Sequence, residues 1–175
     1  MAIEHYHATT DIMTWDTTLD NIFDEFRILP PTIVFQEVPN QISLCFCVTG
    51  CPLRCEGCHS PELRNPELGE ILFPKDYHDL LLKYKGLATN VLFMGGEWYP
   101  KLLGEYLDIA QVTGYTTCLY TGEYIVPNNI LAYLDYIKVG PYKIEKGGLS
   151  SKDTNQVFID IKNDKILNDK FWRNN

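Results

Sequence analysis

From Thr32 onward the apolar positions fall into short blocks whose period switches between two and about 3.6. TIVFQEV (32–38) and ISLCFCV (42–48) are rich in β-branched and aromatic residues and flank a Pro-Asn turn, which predicts two strands or one hairpin. In the second block Cys45 and Cys47 share one face, while Phe46 and Val48 take the other. PKDYHDLLLKYK opens with Pro74, carries apolar residues at helical spacing and meets a stop at Gly86, so it predicts a helix. NVLFM then reads as a buried strand. The order repeats with a helix from Tyr99 to Val112, a stop at Gly114 and a strand at TTCLYT. A helix-like NNILAYL precedes YIKVG, and VFIDI, from Val157 to Ile161, is the last expected strand. The polar tail beyond it is expected to be peripheral or frayed.

Strands alternating with helices at this spacing predict an α/β fold with βα units and a largely parallel sheet. That sheet is either open or rolled into a partial (βα) barrel, because 175 residues fall short of the roughly 250 of a full eightfold barrel. In such folds chemistry sits at the C-terminal ends of the strands. Residues 1–31 break the pattern, with six acidic side chains against one Arg, and they end at Pro30-Pro31. They read as an acidic extension ahead of a single domain at 32–175. Ile22, Phe23, Phe26 and Ile28 would allow a short amphipathic helix over Asp20–Ile28.

A formal net charge of -8 argues against a nucleic-acid surface, which needs clustered Lys and Arg, and favours a protein or small-molecule partner. No charge-free apolar run approaches the roughly 18 residues of a membrane span, and the N-terminus lacks the regions of a signal peptide. The cytoplasm is therefore the expected location. Its reducing conditions leave the six cysteines available for metals or catalysis.

Three of them, Cys51, Cys55 and Cys58, form Cys-x3-Cys-x2-Cys within the loop CVTGCPLRCEGCH. Three thiolates on one short loop can serve one iron–sulfur cube, and three ligands for four irons leave one iron open. A structural zinc site on Cys47, Cys51, Cys55 and Cys58 is the alternative. Against it, zinc sites usually pair two knuckles across a longer spacer. Core burial accounts for Cys45, Cys47 and Cys118. Gly50 and Gly57 suit a loop bent around a bulky centre. His59 is either an ordinary loop side chain or lies against a cluster ligand.

GCPLRCEGCHSPE resembles the cluster loop of the radical S-adenosylmethionine (SAM) enzymes. Gly57 in place of the usual aromatic is characteristic of one branch, the activating proteins of anaerobic ribonucleotide reductase. FMGGE (93–97), LYTGE (119–123), IKVGPY (137–142) and TNQVFID (154–160) follow in the order of that family, so the likeness spans about residues 32–161. Two segments depart from it: Trp98 stands where proline is common, and Ser151-Lys152-Asp153 where Arg-Gly-Ser is usual.

The resemblance implies a partial barrel of the radical SAM type. It also implies one [4Fe-4S] cluster on Cys51, Cys55 and Cys58, with SAM on the open iron. It assigns Gly95, Gly96 and Glu97 to the SAM amino group, and carries Gly57, His59 and Thr121 into the cofactor site. The implied activity is formation of a 5′-deoxyadenosyl radical that installs a glycyl radical on the C-terminal loop of the large reductase subunit. A flavodoxin or ferredoxin would supply the electron. Other expectations are an activase of another glycyl-radical enzyme, a radical SAM enzyme acting on a small molecule, or a non-catalytic zinc or iron–sulfur module.

Overall fold

Strands that are apolar on both faces need cover on both sides, and this chain supplies it unequally. The computed structural model describes residues 26–172. Its strands and helices run β1 (Arg27–Ile28), β2 (Thr32–Val34), β3 (Ser43–Cys47), β4 (Glu70–Ile71), α1 (Pro74–Lys83), β5 (Asn90–Met94), α2 (Pro100–Thr113), β6 (Thr116–Tyr120), α3 (Asn128–Leu131), β7 (Tyr136–Val139), β8 (Val157–Asp160) and β9 (Lys165–Ile166). Among the described residues, no helix is long and apolar enough to cross a membrane.

Seven strands form one sheet in the order β2-β3-β5-β6-β7-β8-β9. The central four, β3, β5, β6 and β7, are parallel, whereas β2, β8 and β9 join antiparallel at the margins. The fold is thus mixed α/β with a parallel centre. Leu44, Phe46, Val91, Phe93 and Leu119 project to one face, where Tyr77, Leu81, Leu103 and Tyr106 of α1 and α2 cover them. Phe46 stacks on Phe93 with ring centres 5.2 Å apart. The other face carries Cys45, Leu92, Cys118 and Phe158, covered by Val38, Leu149, Leu167 and Phe171 from loops and tail. The predicted division of Cys45 and Phe46 between faces is what is found.

Helix starts follow the sequence signals, whereas α1 ends at Lys83 with Tyr84 as its cap, ahead of the expected stop at Gly86. Pro74 and Pro100 occupy the first helical turns, and Gly114 caps α2 in the left-handed region at φ 90°. The third helix is only Asn128–Leu131, shorter than NNILAYL suggested, because two tighter i→i−3 bonds, Tyr133 N to Ile130 O and Leu134 N to Leu131 O, finish it. β2 likewise stops at Val34. Glu37 and Val38 leave the strand line and lie over the second face, where the Tyr120 hydroxyl donates to the Glu37 carbonyl.

Two expectations at the chain ends change. Of the helix expected over Asp20–Ile28, residues 20–25 lie outside the described residues, and Arg27–Ile28 form a strand instead. Phe26 is fully buried against Phe93, Tyr99 and Tyr106, so residues 26–31 pack with the folded unit. The tail also contributes to the core. A turn at Asn163-Asp164, held by Asn163 N donating to Asp160 Oδ1, returns the chain as β9, and Leu167 and Phe171 then cover the second face. Phe171 packs on Phe158 at 5.1 Å between ring centres.

At the opposite end of the sheet from the strand C-termini, Asp135 ties β6 to β7. Its buried carboxylate accepts from Thr117 N at 2.8 Å and Thr117 Oγ1 at 3.2 Å, and it pairs with Lys162. Asp135→Ala strands the Thr117 amide in the interior, while the Thr117 hydroxyl keeps the Tyr133 carbonyl as acceptor at 2.6 Å. The substitution is expected to lower the free energy of unfolding by about 2 kcal/mol, read from the midpoint of a urea titration at constant slope.

Candidate metal centre

β3 ends at Cys47, and the chain leaves it at the C-terminal edge of the parallel strands. Backbone bonds fix the exit: Val48 N to Met94 O at 3.0 Å, Thr49 N to Arg27 O at 3.0 Å, and Cys51 N to Leu63 O at 2.9 Å. Two arginines brace the loop from its carbonyls, with Arg64 Nη2 donating to Cys55 O at 2.9 Å and Arg54 Nη1 to Cys51 O at 3.2 Å. Gly57 sits at φ 69°, and a Cβ there would meet Ile144 Cδ1 at 3.0 Å, so the back of the loop is pressed against that side chain.

Cys51, Cys55 and Cys58 are free, half-buried, and border one cavity of about 410 Å³. Burial pushes the Cys51 thiol above its ordinary pKa. Among the described residues, no three His, Cys, Asp or Glu side chains converge on a single ion position. Three thiols on one cavity match a cube with one thiolate per iron, whereas a structural tetrahedral zinc takes four ligands. Cys47 contacts Met94 instead, Sγ to Sδ 3.9 Å, and Cys45 and Cys118 are buried in the second face.

β5 delivers the next element. Gly95 and Gly96 follow Met94 at φ 79° and 105°, a region L-residues rarely adopt. Trp98 folds back over Gly95, where a Cβ would lie 2.5 Å from the indole. Glu97 then turns into the cavity. Its Oε1 accepts from Thr121 Oγ1 at 2.5 Å, while Oε2 is buried with no hydrogen-bond partner. Burial raises the carboxyl pKa, and the Thr121 bond partly opposes it. Thr121 is held in turn, its amide donating to Lys138 O at 2.8 Å and its hydroxyl accepting from Glu123 N at 2.9 Å.

Seven of the nine residues named from sequence therefore border the same cavity: Cys51, Cys55, Cys58, His59, Gly95, Glu97 and Thr121. Gly57 and Gly96 stand behind it, the latter facing Val48 Cγ2 at 3.1 Å from a would-be Cβ. His59 packs against Tyr142 with the rings tilted by 50° and their centres 4.4 Å apart.

Sequence reasoning passed over Lys138, although it also lines the cavity. It is only 9% exposed, and its ammonium donates to the carbonyls of Thr121 at 3.0 Å and Gly140 at 3.3 Å. Burial draws its pKa down to about 8, with the Glu97 carboxylate pulling the other way. The signal was a lone cation inside the apolar strand YIKV.

No curated protein matches the chain in sequence. A family model described as a 4Fe-4S single cluster domain matches residues 41–157, from just before β3 to the first residue of β8, which takes in the cysteine loop, Glu97, Thr121 and Lys138. The donor set agrees with that description: three thiols around one cavity, on a loop whose backbone is already bent to hold them. By this match over more than half its length, the chain belongs to the 4Fe-4S single cluster domain family.

Proposed function

We propose that this chain is a cytoplasmic radical SAM activase that installs a glycyl radical on the large subunit of anaerobic ribonucleotide reductase. The observation that carries the reading is that three cysteine thiols and a buried carboxylate with one unpartnered oxygen border the same cavity. In this reading Cys51, Cys55 and Cys58 would each hold one iron and leave the fourth open for SAM. Bound and reduced, a [4Fe-4S] cluster supplies the electron that breaks a carbon–sulfur bond of SAM, giving methionine and a 5′-deoxyadenosyl radical.

The protein's part is placement. Glu97 Oε2 accepts a hydrogen bond from an N–H of the SAM amino group, and Thr121 holds the carboxylate through Oε1. Trp98, Leu53 and Met94 line the cavity and exclude water from a carbon radical that would attack other nearby C–H bonds. Helices on one sheet face and an open sheet edge are in keeping with a partial barrel of the radical SAM type, into which a partner's glycine-bearing loop enters. A flavodoxin or ferredoxin would be the electron donor.

The test is anaerobic reconstitution with iron and sulfide, then dithionite and SAM, with 5′-deoxyadenosine as the readout. Product is expected, and its absence with an intact cluster rules the chemistry out. Adding the large reductase subunit should then give a glycyl-type doublet in electron paramagnetic resonance. Without the doublet, the chemistry stands and the partner is wrong.

A further inference from the structure

Lys138 is a buried cation that nothing in the placement of SAM uses. Its register on β7, between Tyr120 of β6 and Phe158 of β8, directs it to the sheet face without helices. There its Nζ lies 5.5 Å from the Tyr120 ring centre. Its two hydrogen-bond acceptors are backbone carbonyls, which supply dipoles but no countercharge. Among the described residues it makes no ion pair. A buried charge is costly unless something of opposite sign faces it. Glu97 and the thiols of Cys55 and Cys58 border the same cavity as Lys138, and the buried thiol of Cys118 lies on the same sheet face.

We infer that Lys138 raises the reduction potential of the cluster held at Cys51, Cys55 and Cys58. Reduction adds one negative charge to a centre already carrying thiolates. A fixed cation on the same cavity wall stabilises the reduced form more than the oxidised one, and the buried setting limits screening by solvent and salt. The two carbonyl bonds hold the ammonium at the ends of β6 and β7, so its charge stays at the cavity as the cluster changes oxidation state. The inference rests on the cluster and is independent of the activase reading.

The experiment is a redox titration of the cluster-loaded full chain without SAM, following the reduced cluster by electron paramagnetic resonance. Lys138→Gln keeps a donor for the Thr121 carbonyl and loses the charge, whereas Lys138→Arg keeps the charge. The equilibrium constant for reduction should fall about tenfold in the glutamine variant, a potential about 59 mV lower for one electron. The arginine variant should stay near wild type. A glutamine variant with full iron content and unchanged potential overturns the inference. If glutamine prevents cluster loading while arginine loads at the wild-type potential, the charge is the operative property and the inference stands. If both variants fail to load, the role is structural and the inference falls. Failure of wild-type protein to form 5′-deoxyadenosine would defeat the activase reading and leave this comparison intact.

Discussion

Serine in place of Cys51, Cys55 or Cys58 is expected to cut iron from about four per chain to less than about one, and to abolish 5′-deoxyadenosine formation. An alcohol is a hard, weakly acidic donor that replaces a soft thiolate poorly on iron. Each cysteine borders the cavity from a loop pinned by backbone bonds, which limits how far another donor could shift to take its place. Cys47→Ser and Cys118→Ala provide the contrast. Cys47 lies against Met94, and Cys118 is buried among the side chains of the second face. Both variants should keep full iron and full product, at the cost of some stability for the buried Cys118. Iron and sulfide analysis of the five proteins side by side decides the matter, and loss of the cluster in Cys47→Ser would make that residue a ligand.

Glu97→Gln should leave iron content unchanged while weakening SAM binding by about tenfold to a hundredfold, the value of a hydrogen bond to a charged partner. Glutamine can still accept from Thr121 Oγ1. At the second position it presents an amide N–H2 to the N–H of the SAM amino group, so donor meets donor. The same substitution carries a second, opposite effect. Because burial raises the carboxyl pKa in the folded chain, the folded state holds this proton more tightly than the unfolded one. The stabilising contribution is fully present below the unfolded pKa and is lost as pH rises through the folded value. Ligand-free wild type should thus be less stable at neutral pH than Glu97→Gln, and the difference should vanish in acid. Urea titrations at two pH values and equilibrium binding of SAM measure both effects. A variant that binds SAM as wild type does would remove Glu97 from the site.

The strands and helices that the sequence made legible are those with strong local punctuation. Pro74, Pro100 and Gly114 mark helix ends, and NVLFM and TTCLY are short apolar runs with few alternatives. What it concealed depends on partners distant along the chain. VFQEV has the composition of a strand, yet beyond Val34 it is needed as cover for the second face. The tail is polar on average, and only Leu167 and Phe171 reveal that it is packed. Within the site, the cysteines were visible because close spacing carries their chemistry, and Gly-Gly-Glu was visible through its likeness to the radical SAM family. Lys138 was not, because its meaning arises only where strands β6 and β7 lie side by side and bring it to Thr121.

The parallel centre of the sheet has a consequence in time. Cys47 lies beside Met94, and Met94 beside Tyr120, so neighbouring strands meet only after long intervening stretches have been made. During synthesis the three cavity thiols emerge well before Glu97, Thr121 and Lys138, and for that interval they stand on a chain with no cavity around them. Long-range parallel pairing is also slow to form. The complete set of groups therefore comes into being late, once β7 has joined β6, and a cluster delivered to the nascent loop would find its ligands before it found the walls that tune and shield it.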